Sequence, residues 1–290
     1  MQVVQRSKSD YASLLPHPKK DANKFTRGSV AIIAGSAKFP GAAVLASAAA
    51  RCGSGYTVLV TPKSAAQTAH AHLASIPVVE TAEVDGCFCE DSLPDVFKAC
   101  KRAQALVIGP GIGTNSQVVQ FLHELLASEE RPIILDADAL SILAKNPDIL
   151  AARSERGNVT VITPHGGEAA RLLGRKVEDQ AKDAILLAQQ LHVCIALKGH
   201  QTFIADEAEN CIMCSDGGPE LAKAGSGDVL SGMIGAMLAQ GMNAIDAASL
   251  AVYTHSLAAK IAADEITDIA VIPEDIVSHI GAAFKEIERF

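Results

Sequence analysis

The chain has 290 residues, of which 49% are hydrophobic and only 4% aromatic, and its formal net charge is −8. A chain of this length buries about three quarters of the surface that its unfolded form exposes, so it can form a stable core without disulfides or metals. The negative charge and the lack of any lysine or arginine run argue against nucleic acid as a partner, and no apolar stretch reaches the ~20 residues that span a membrane.

The cysteine pattern indicates a reducing compartment. The seven cysteines are an odd number, which does not suit a disulfide framework. No apolar signal segment precedes Pro16, so the cytoplasm is the predicted location. Cys211 and Cys214 have the spacing of half a zinc site, but the spacing of Cys87 and Cys89 does not suit the other half. We therefore predict no zinc.

Short apolar runs rich in β-branched residues alternate with helical patterns through the first two thirds of the chain. In chain order, strands are predicted over residues 29–34, 56–60, 105–108, 132–135, 158–162 and 194–197, and helices over 41–52, 115–127, 137–145 and 167–173. Most of these strands are apolar throughout, as expected of strands that helices cover on both faces. The repeated strand–helix units predict an α/β fold with helices on both sides of a mostly parallel sheet.

After Lys198 the pattern changes. Residues 201–205 and 210–214 flank an acidic turn, as in an antiparallel hairpin. Helices are then predicted over 228–240, 244–263 and 274–287, packed on one face of the sheet. Because no linker, low-complexity tract or internal repeat interrupts the pattern, residues 1–290 are predicted to form a single domain.

A glycine-rich turn, Gly225-Ser226-Gly227-Asp228, leads into the first of these C-terminal helices. The first turn of a helix has backbone N–H groups without internal partners and carries partial positive charge, so it attracts phosphate, and glycine allows close approach. The alternative is that Asp228 only caps the helix. A cap gains nothing from glycines on both sides of Ser226, however. We therefore predict a phosphate cradle, formed by Gly225, Ser226 and Gly227, with a base beside it.

Other unusual residues follow the predicted strands, at the edge of the sheet where ligands gather in open α/β folds. They are Gly35-Ser36, Gly109-Pro110-Gly111-Ile112-Gly113, Asp136-Ala137-Asp138, Thr163-Pro164-His165-Gly166-Gly167-Glu168 and Lys198-Gly199-His200-Gln201-Thr202.

In this order and spacing, these segments, together with Leu15-Pro16, Gly41-Ala42, Ala139-Leu140 and the glycine-rich turn, resemble the ADP-dependent NAD(P)H-hydrate dehydratases. The resemblance covers nearly the whole chain. It implies the ribokinase-like fold, three αβα layers around a mostly parallel sheet with a C-terminal antiparallel hairpin. Two departures concern the lining of the pocket: Gly218-Pro219 replaces a frequent Asn-Pro, and Asn23-Lys24-Phe25 replaces a common His-Lys-Gly.

The resemblance implies an enzyme of nicotinamide nucleotide repair. Such an enzyme restores NADH or NADPH from its (6S) hydrate, consuming ADP as phosphoryl donor and releasing AMP and phosphate. Hydroxide is a poor leaving group, so the hydroxyl is phosphorylated first and then departs as phosphate. Asp228 would be the general base, and the amides of Gly225, Ser226 and Gly227 would hold the phosphoryl group.

The same resemblance assigns the ligand contacts. The nucleotide is expected to contact Lys198, Gly199, His200, Gln201, Thr202 and Gly227, and the hydrate to contact Ala42, Gly113, His165 and Asp228. For Lys198 the alternative is a solvent-facing lysine, and for His165 it is a simple loop residue. Mg²⁺ is expected to be held mainly through nucleotide oxygens and water, near Asp136 and Asp138, for which helix capping is the alternative role.

NAD(P)H hydrate and ADP are the expected small-molecule partners. We also expect a homo-oligomer, a tetramer in many relatives, and a separate epimerase in the same pathway, since the chain has no room for the epimerase domain that is fused in some relatives.

Two other functions stay open. The same fold and turn serve ATP-dependent kinases of small alcohols such as vitamin precursors, which leave a phosphorylated alcohol. A non-catalytic adenine-nucleotide sensor would keep the phosphate cradle without turnover, although the presence of Asp228 argues against it.

Overall fold

The computed structural model describes residues 2–290. Its strands are β1 (Val3–Val4), β2 (Ser29–Ile33), β3 (Tyr56–Pro62), β4 (Val78–Thr81), β5 (Ala105–Ile108), β6 (Ile133–Leu135), β7 (Thr160–Ile162), β8 (Cys194–Leu197), β9 (Thr202–Ala205) and β10 (Cys211–Cys214). Its helices are α1 (Lys8–Leu14), α2 (Pro40–Gly53), α3 (Lys63–His72), α4 (Leu93–Cys100), α5 (Ser116–Ser128), α6 (Asp138–Leu143), α7 (Ala151–Glu155), α8 (Gly166–Leu173), α9 (Gln180–Leu191), α10 (Ser226–Ala239), α11 (Ala244–Glu265) and α12 (Pro273–Ile287). Across residues 2–290, none of the helices is both long and apolar enough to cross a membrane.

All ten strands form one sheet in the order β1-β10-β9-β8-β7-β6-β5-β2-β3-β4. From β4 to β8 every neighbouring pair is parallel. Strand β9 runs antiparallel to both β8 and β10, and β1 pairs with β10 in parallel. The predicted α/β fold, with its mostly parallel sheet and antiparallel hairpin, is confirmed. Because β6, β7 and β8 are neighbours, the segments that follow them meet at one edge of the sheet.

Helices cover both faces of the sheet, which gives three layers. Alternate strand residues point to opposite faces, so on β2 Val30 and Ile32 join one core and Ala31 and Ile33 join the other. The first core also contains buried residues of α1, α2, α3, α10, α11 and α12, and the second contains those of α4, α5, α6, α8 and α9. Burial on both faces explains why the central strands are apolar without alternation.

Several elements were not predicted from the sequence, and burial explains this for β1, β4, α3 and α9. Strand β4 lies at the sheet edge, where Val78 and Val79 are half-buried and Glu80 is exposed, so it lacks a continuous apolar run. Strand β1 consists of two exposed valines. Helices α1, α3, α4, α7 and α9 also went unpredicted; the buried residues of α3 are all alanine, and so are three of the six in α9, which gives a weak hydrophobic period. The predicted elements are present, with ends that differ by at most two residues.

Candidate active site

The carboxyl ends of three neighbouring strands bring the predicted site segments together. Asp136 follows β6 and is almost fully buried. His165 and Lys198, which follow β7 and β8, pair in a short parallel bridge. Helix α10 begins over the same edge: a Cβ atom added to Gly227 would lie 3.2 Å from Lys198 Nζ and 3.7 Å from Asp136 Oδ2. The glycine-rich turn and the strand ends therefore form one site.

Gly225 opens helix α10 in the left-handed conformation, with φ of 97°, a backbone geometry that favours glycine. The amide of Ser226 donates to the carbonyl oxygen of Lys223 at 3.2 Å, so a tight turn already uses one donor of the phosphate cradle. Within residues 2–290, the amides of Gly225, Gly227 and Asp228 have no protein acceptor. These three donors, at the positive end of the helix, are the ones that an anion can meet.

Asp228 is the third residue of α10 and is half-buried beside these donors. It is not the N-cap, which is Gly225, and no side chain caps this helix. Burial is the main reason why the pKa of Asp228 is raised to about 7; the charges of Asp136 and Asp138 act in the same direction, and Lys198 opposes them. A carboxyl group with this pKa is partly ionised near neutral pH and can both accept and release a proton there, as a general base must.

Lys198 is not the solvent-facing lysine of the alternative interpretation. Its Nζ donates to Asp136 Oδ1 at 3.0 Å, and its side chain is 21% exposed. The other carboxylate oxygen of Asp136 accepts a hydrogen bond from Ser231 Oγ. The ammonium group consequently lies against the backbone of Gly227, where a phosphate bound to the helix start would meet it.

A cavity of about 410 Å³ opens beside the start of α10. Its lining residues are His165, Lys198, Gly199, Thr202, Leu221, Ala222, Lys223, Ser226, Gly227, Leu230, Val252, His255 and Ser256. Apolar walls with a few convergent polar groups are typical of small-molecule sites. Of the predicted nucleotide contacts, His200 and Gln201 are not among the lining residues, and His200 is exposed.

His165 has a structural role as well as a place in this cavity. It is the N-cap of α8, and its Nδ1 accepts hydrogen bonds from the amides of Gly167 and Glu168 at 3.0 and 3.3 Å. Because Nδ1 accepts, the proton of the neutral ring is on Nε2. This leaves one ring N–H donor on a half-exposed side chain.

The two remaining predicted substrate contacts lie around the loop that follows β5. A Cβ on Gly111 would be 3.0 Å from the Cβ of Ala42 on α2, so helix and loop are in close contact. The amide of Gly113 donates to Asp138 Oδ2 at 2.9 Å, and φ at Gly113 is 86°. Asp138 in turn acts electrostatically on Asp228. The structure therefore joins this loop to Asp138, one of the carboxyl groups whose charge acts on Asp228.

Sequence reasoning missed two polar residues of the site. Ser231 lies one helical turn after Gly227 and bonds to Asp136. His255, on α11, is buried with its Nε2 3.4 Å from Ser226 Oγ, and burial lowers its pKa to about 4, so the ring is neutral. The i, i+4 spacing from Gly227 could have indicated Ser231. His255 lies inside an alanine-rich helix and is joined to the site only by tertiary packing.

Two of the carboxylates at the site, those of Asp136 and Asp138, already accept hydrogen bonds from protein donors. Within residues 2–290, no three His, Cys, Asp or Glu side chains are grouped so as to hold a metal ion. Asp136 binds Lys198 and Ser231, and Asp138 accepts the Gly113 amide. Neither carboxylate caps α6, whose N-cap is Ala137. This donor set fits a Mg²⁺ ion that nucleotide oxygens and water hold.

Comparison with known proteins identifies the family. A family model described as NAD(P)H-hydrate dehydratase matches residues 30–281. The chain belongs to this family. It is 39% identical over 243 residues to the bifunctional NAD(P)H-hydrate repair enzyme Nnr of Mycobacterium tuberculosis, covering 83% of this chain and 47% of that protein. The corresponding enzyme of Thermofilum pendens is 33% identical over 282 residues, 95% of this chain and 53% of its own length. The chain thus spans about half the length of these curated relatives.

Solved structures agree with the family assignment. The ADP/ATP-dependent NAD(P)H-hydrate dehydratase of Bacillus subtilis, co-crystallised with ATP and Mg²⁺, matches with a TM-score of 0.81 and 28% identity, over 99% of this chain and 100% of that one. A hydroxyethylthiazole kinase from Pyrococcus horikoshii matches with a TM-score of 0.60 and 17% identity, over 98% of this chain and 93% of its own, and shares the fold alone. The expected ribokinase-like dehydratase architecture is therefore confirmed.

Proposed function

We propose that this protein is an ADP-dependent dehydratase that converts (6S)-NAD(P)H hydrate to NAD(P)H and releases AMP and phosphate. The observation that carries the proposal is the half-buried Asp228 carboxylate, with a pKa of about 7, beside helix-start amides that have no acceptor within residues 2–290. A base and an anion site on adjacent residues are what phosphorylation of a hydroxyl group requires. Membership of the dehydratase family supports the choice of substrate.

The first step is phosphoryl transfer. Asp228 takes the proton of the C6 hydroxyl while the hydroxyl oxygen attacks the β-phosphorus of ADP, and AMP leaves. The amides of Gly225 and Gly227 and the ammonium of Lys198 hold the phosphoryl oxygens as charge spreads over them. Bound Mg²⁺ would neutralise phosphate charge during this transfer, held by nucleotide oxygens and water.

The second step is elimination. The lone pair of the ring nitrogen forms a C=N bond as the C6–O bond breaks, and phosphate departs with both electrons of that bond. Loss of a proton from the adjacent ring carbon to water or phosphate restores the C=C bond of the dihydropyridine. The protonated Asp228 is reset when product phosphate and solvent exchange. In these two steps Asp228 only transfers a proton and forms no covalent bond with the substrate.

The two ligands are proposed to bind on either side of Asp228. The nucleotide occupies the cavity lined by Lys198, Gly199 and Thr202, with its phosphates at Gly227. His200 and Gln201 remain proposed nucleotide contacts from the exposed side of the β8–β9 turn. The hydrate occupies the side formed by Ala42 and Gly113, and the N–H of His165 Nε2 offers it a hydrogen bond.

The test is incubation with (6S)-NADH hydrate and either ADP or ATP. We expect the absorbance of the reduced nicotinamide to return with stoichiometric AMP and phosphate when ADP is the donor. A stable phosphorylated alcohol without NADH would instead identify a small-molecule kinase. Nucleotide binding without any turnover would identify a sensor. Running NADPH hydrate in parallel measures the preference between the two substrates.

The biological setting is proposed on the same basis. We propose that the protein acts in the cytoplasm, together with a separate epimerase that supplies the reactive epimer of the hydrate, and that it forms a homo-oligomer, up to a tetramer. Sedimentation velocity measures the last point directly, and a monomer at micromolar concentration would contradict it.

A further inference from the structure

Asp136 is buried, and both of its carboxylate oxygens accept hydrogen bonds from protein side chains. Its exposed fraction is 1%. One carboxylate oxygen accepts from Lys198 Nζ at 3.0 Å and the other accepts from Ser231 Oγ. Ser231 lies one turn after Gly227 on α10. The helix that carries the glycine-rich turn therefore also fixes the carboxylate that holds the lysine.

Two carboxylates compete for the Lys198 ammonium, Asp136 and Asp228. Asp228 is faced by Asp136 and Asp138 from the segment after β6 and by Lys198 from the end of β8. Lys198 is further influenced by Glu168 on α8. The ammonium binds Asp136, the more buried of the two. This choice is expected, because a fully buried carboxylate without a cationic partner is strongly destabilising.

From this arrangement we propose that Asp136 is a positioning residue: it holds the Lys198 ammonium at the backbone of Gly227, where the transferred phosphate binds, and keeps it away from Asp228. Within residues 2–290, the catalytic base is thereby left without a cation in hydrogen-bonding contact. Gly227 is part of the arrangement, because a Cβ there would lie 3.2 Å from Lys198 Nζ. The inference rests on the proposed function for the phosphoryl group that Lys198 meets.

The first experiment is a double-mutant cycle on nucleotide affinity. ADP binding is measured by calorimetry for the wild-type chain, Asp136→Asn, Lys198→Met and the double variant. We expect each single change to weaken binding roughly ten- to a hundredfold, the range for hydrogen bonds to charged groups. We also expect D136N to have little further effect in the K198M background, because Asp136 acts through Lys198. Additive effects would overturn the proposal.

A second readout separates positioning from a general structural role. In D136N the ammonium is free to turn toward Asp228, and the repulsion from Asp136 is lost. Both changes lower the pKa of Asp228, so the acid limb of the pH profile of kcat should move to lower pH. In K198M the limb should move to higher pH. Asp183→Asn is the matched control: it also removes a buried carboxylate bonded to a cation, Arg175, but Asp183 neither lines the cavity nor acts on the pKa of Asp228. D183N should lower the stability of the fold and leave both the ADP affinity and the acid limb of the pH profile unchanged.

A measurement on the wild-type chain covers the case in which D136N does not fold. NMR of the lysine ammonium groups should show a slowly exchanging Lys198 signal, identified by its loss in K198M, that shifts when ADP is added. Lys182 is the internal control, because it pairs with Asp179 at the same N–O distance of 3.0 Å but with a 70% exposed side chain. A Lys198 signal that exchanges as fast as that of Lys182, or that ignores ADP, would contradict the proposal. Neither ADP affinity nor this signal depends on dehydratase turnover, so failure of the proposed function would be recognised separately.

Discussion

Replacing Asp228 with asparagine should stabilise the protein while it removes catalysis. The pKa of an unfolded aspartate is near 4, whereas that of Asp228 in the folded chain is about 7, chiefly because of burial. The folded state therefore binds the proton more tightly than the unfolded state. The stabilisation that Asp228 gives the folded state is complete at low pH and is lost as pH rises through 7. Ionisation costs the fold up to about 4 kcal/mol at pH 8, since tenfold in proton affinity corresponds to about 1.4 kcal/mol.

The asparagine side chain has no charge to bury, so D228N should escape this loss. Partial solvent access and the unpaired amide of asparagine reduce the gain, and we expect D228N to be more stable than wild type by about 1–3 kcal/mol at pH 8 and by clearly less at pH 5. Urea unfolding at the two pH values, followed by circular dichroism because the chain has no tryptophan, measures the difference. Turnover should fall by roughly 100- to 10,000-fold, while ADP still binds the backbone donors.

Asp95→Asn is the matched control for the helix position, since Asp95 is also the third residue of its helix, α4, and is also half-buried. Loss of its favourable interaction with the helix start should cost less than about 1 kcal/mol. A stability gain for D228N that is the same at pH 5 and pH 8, or a loss at pH 8, would refute the reasoning about Asp228. Full turnover in D228N would refute its role as the base.

Substitutions at three further residues test other parts of the structure. Gly227→Ala places a methyl group 3.2 Å from Lys198 Nζ. The KM for ADP should therefore rise roughly tenfold, as for a weakened charged hydrogen bond, while the free energy of unfolding should be unchanged or slightly higher because alanine favours helix. An unaltered KM would show that the ammonium does not meet the nucleotide. His165→Ala removes the cap of α8 and should lower the free energy of unfolding, measured with urea, by about 1 kcal/mol, whereas His165→Asn should restore this stability. A rise in the KM for the hydrate in both variants would show that the imidazole also binds substrate. Arg153→Met leaves three backbone carbonyl groups without their buried donor and should lower the free energy of unfolding by about 3–5 kcal/mol, with calorimetry showing ADP affinity unchanged in the folded fraction.

The central sheet could be predicted from the sequence because each inner strand is buried on both faces. Strand β2 is buried at every position, and the continuous apolar run Val30–Ile33 reports this directly. Edge strands have no such signature: β4 is only partly buried, and β1 becomes a strand by pairing with β10, which lies in the last third of the chain. Secondary structure that depends on a distant partner leaves little trace in the local pattern.

The site was partly predictable for a similar reason. Glycines and charged residues after strands indicate the functional edge, where Lys198 and His165 were predicted, and the glycine-rich turn before α10 gave the prediction for Asp228. Their connections to one another depend on tertiary contacts. Ser226 was expected to contribute its amide to phosphate, but that amide closes the tight turn to Lys223. The pairing of Lys198 with Asp136 required knowing that β6 and β8 end within side-chain reach of each other.

Helix α10 is buried along nearly its entire length, between the sheet and the neighbouring helices. The carboxylate and the backbone donors at its first turn are thus anchored to a helix of the hydrophobic core. We therefore expect any closure around bound ligands to come from the surrounding loops. A stiff bisubstrate compound that joins an adenosine diphosphate to a reduced pyridine should therefore bind tightly, because the receptor needs little reorganisation to accept it.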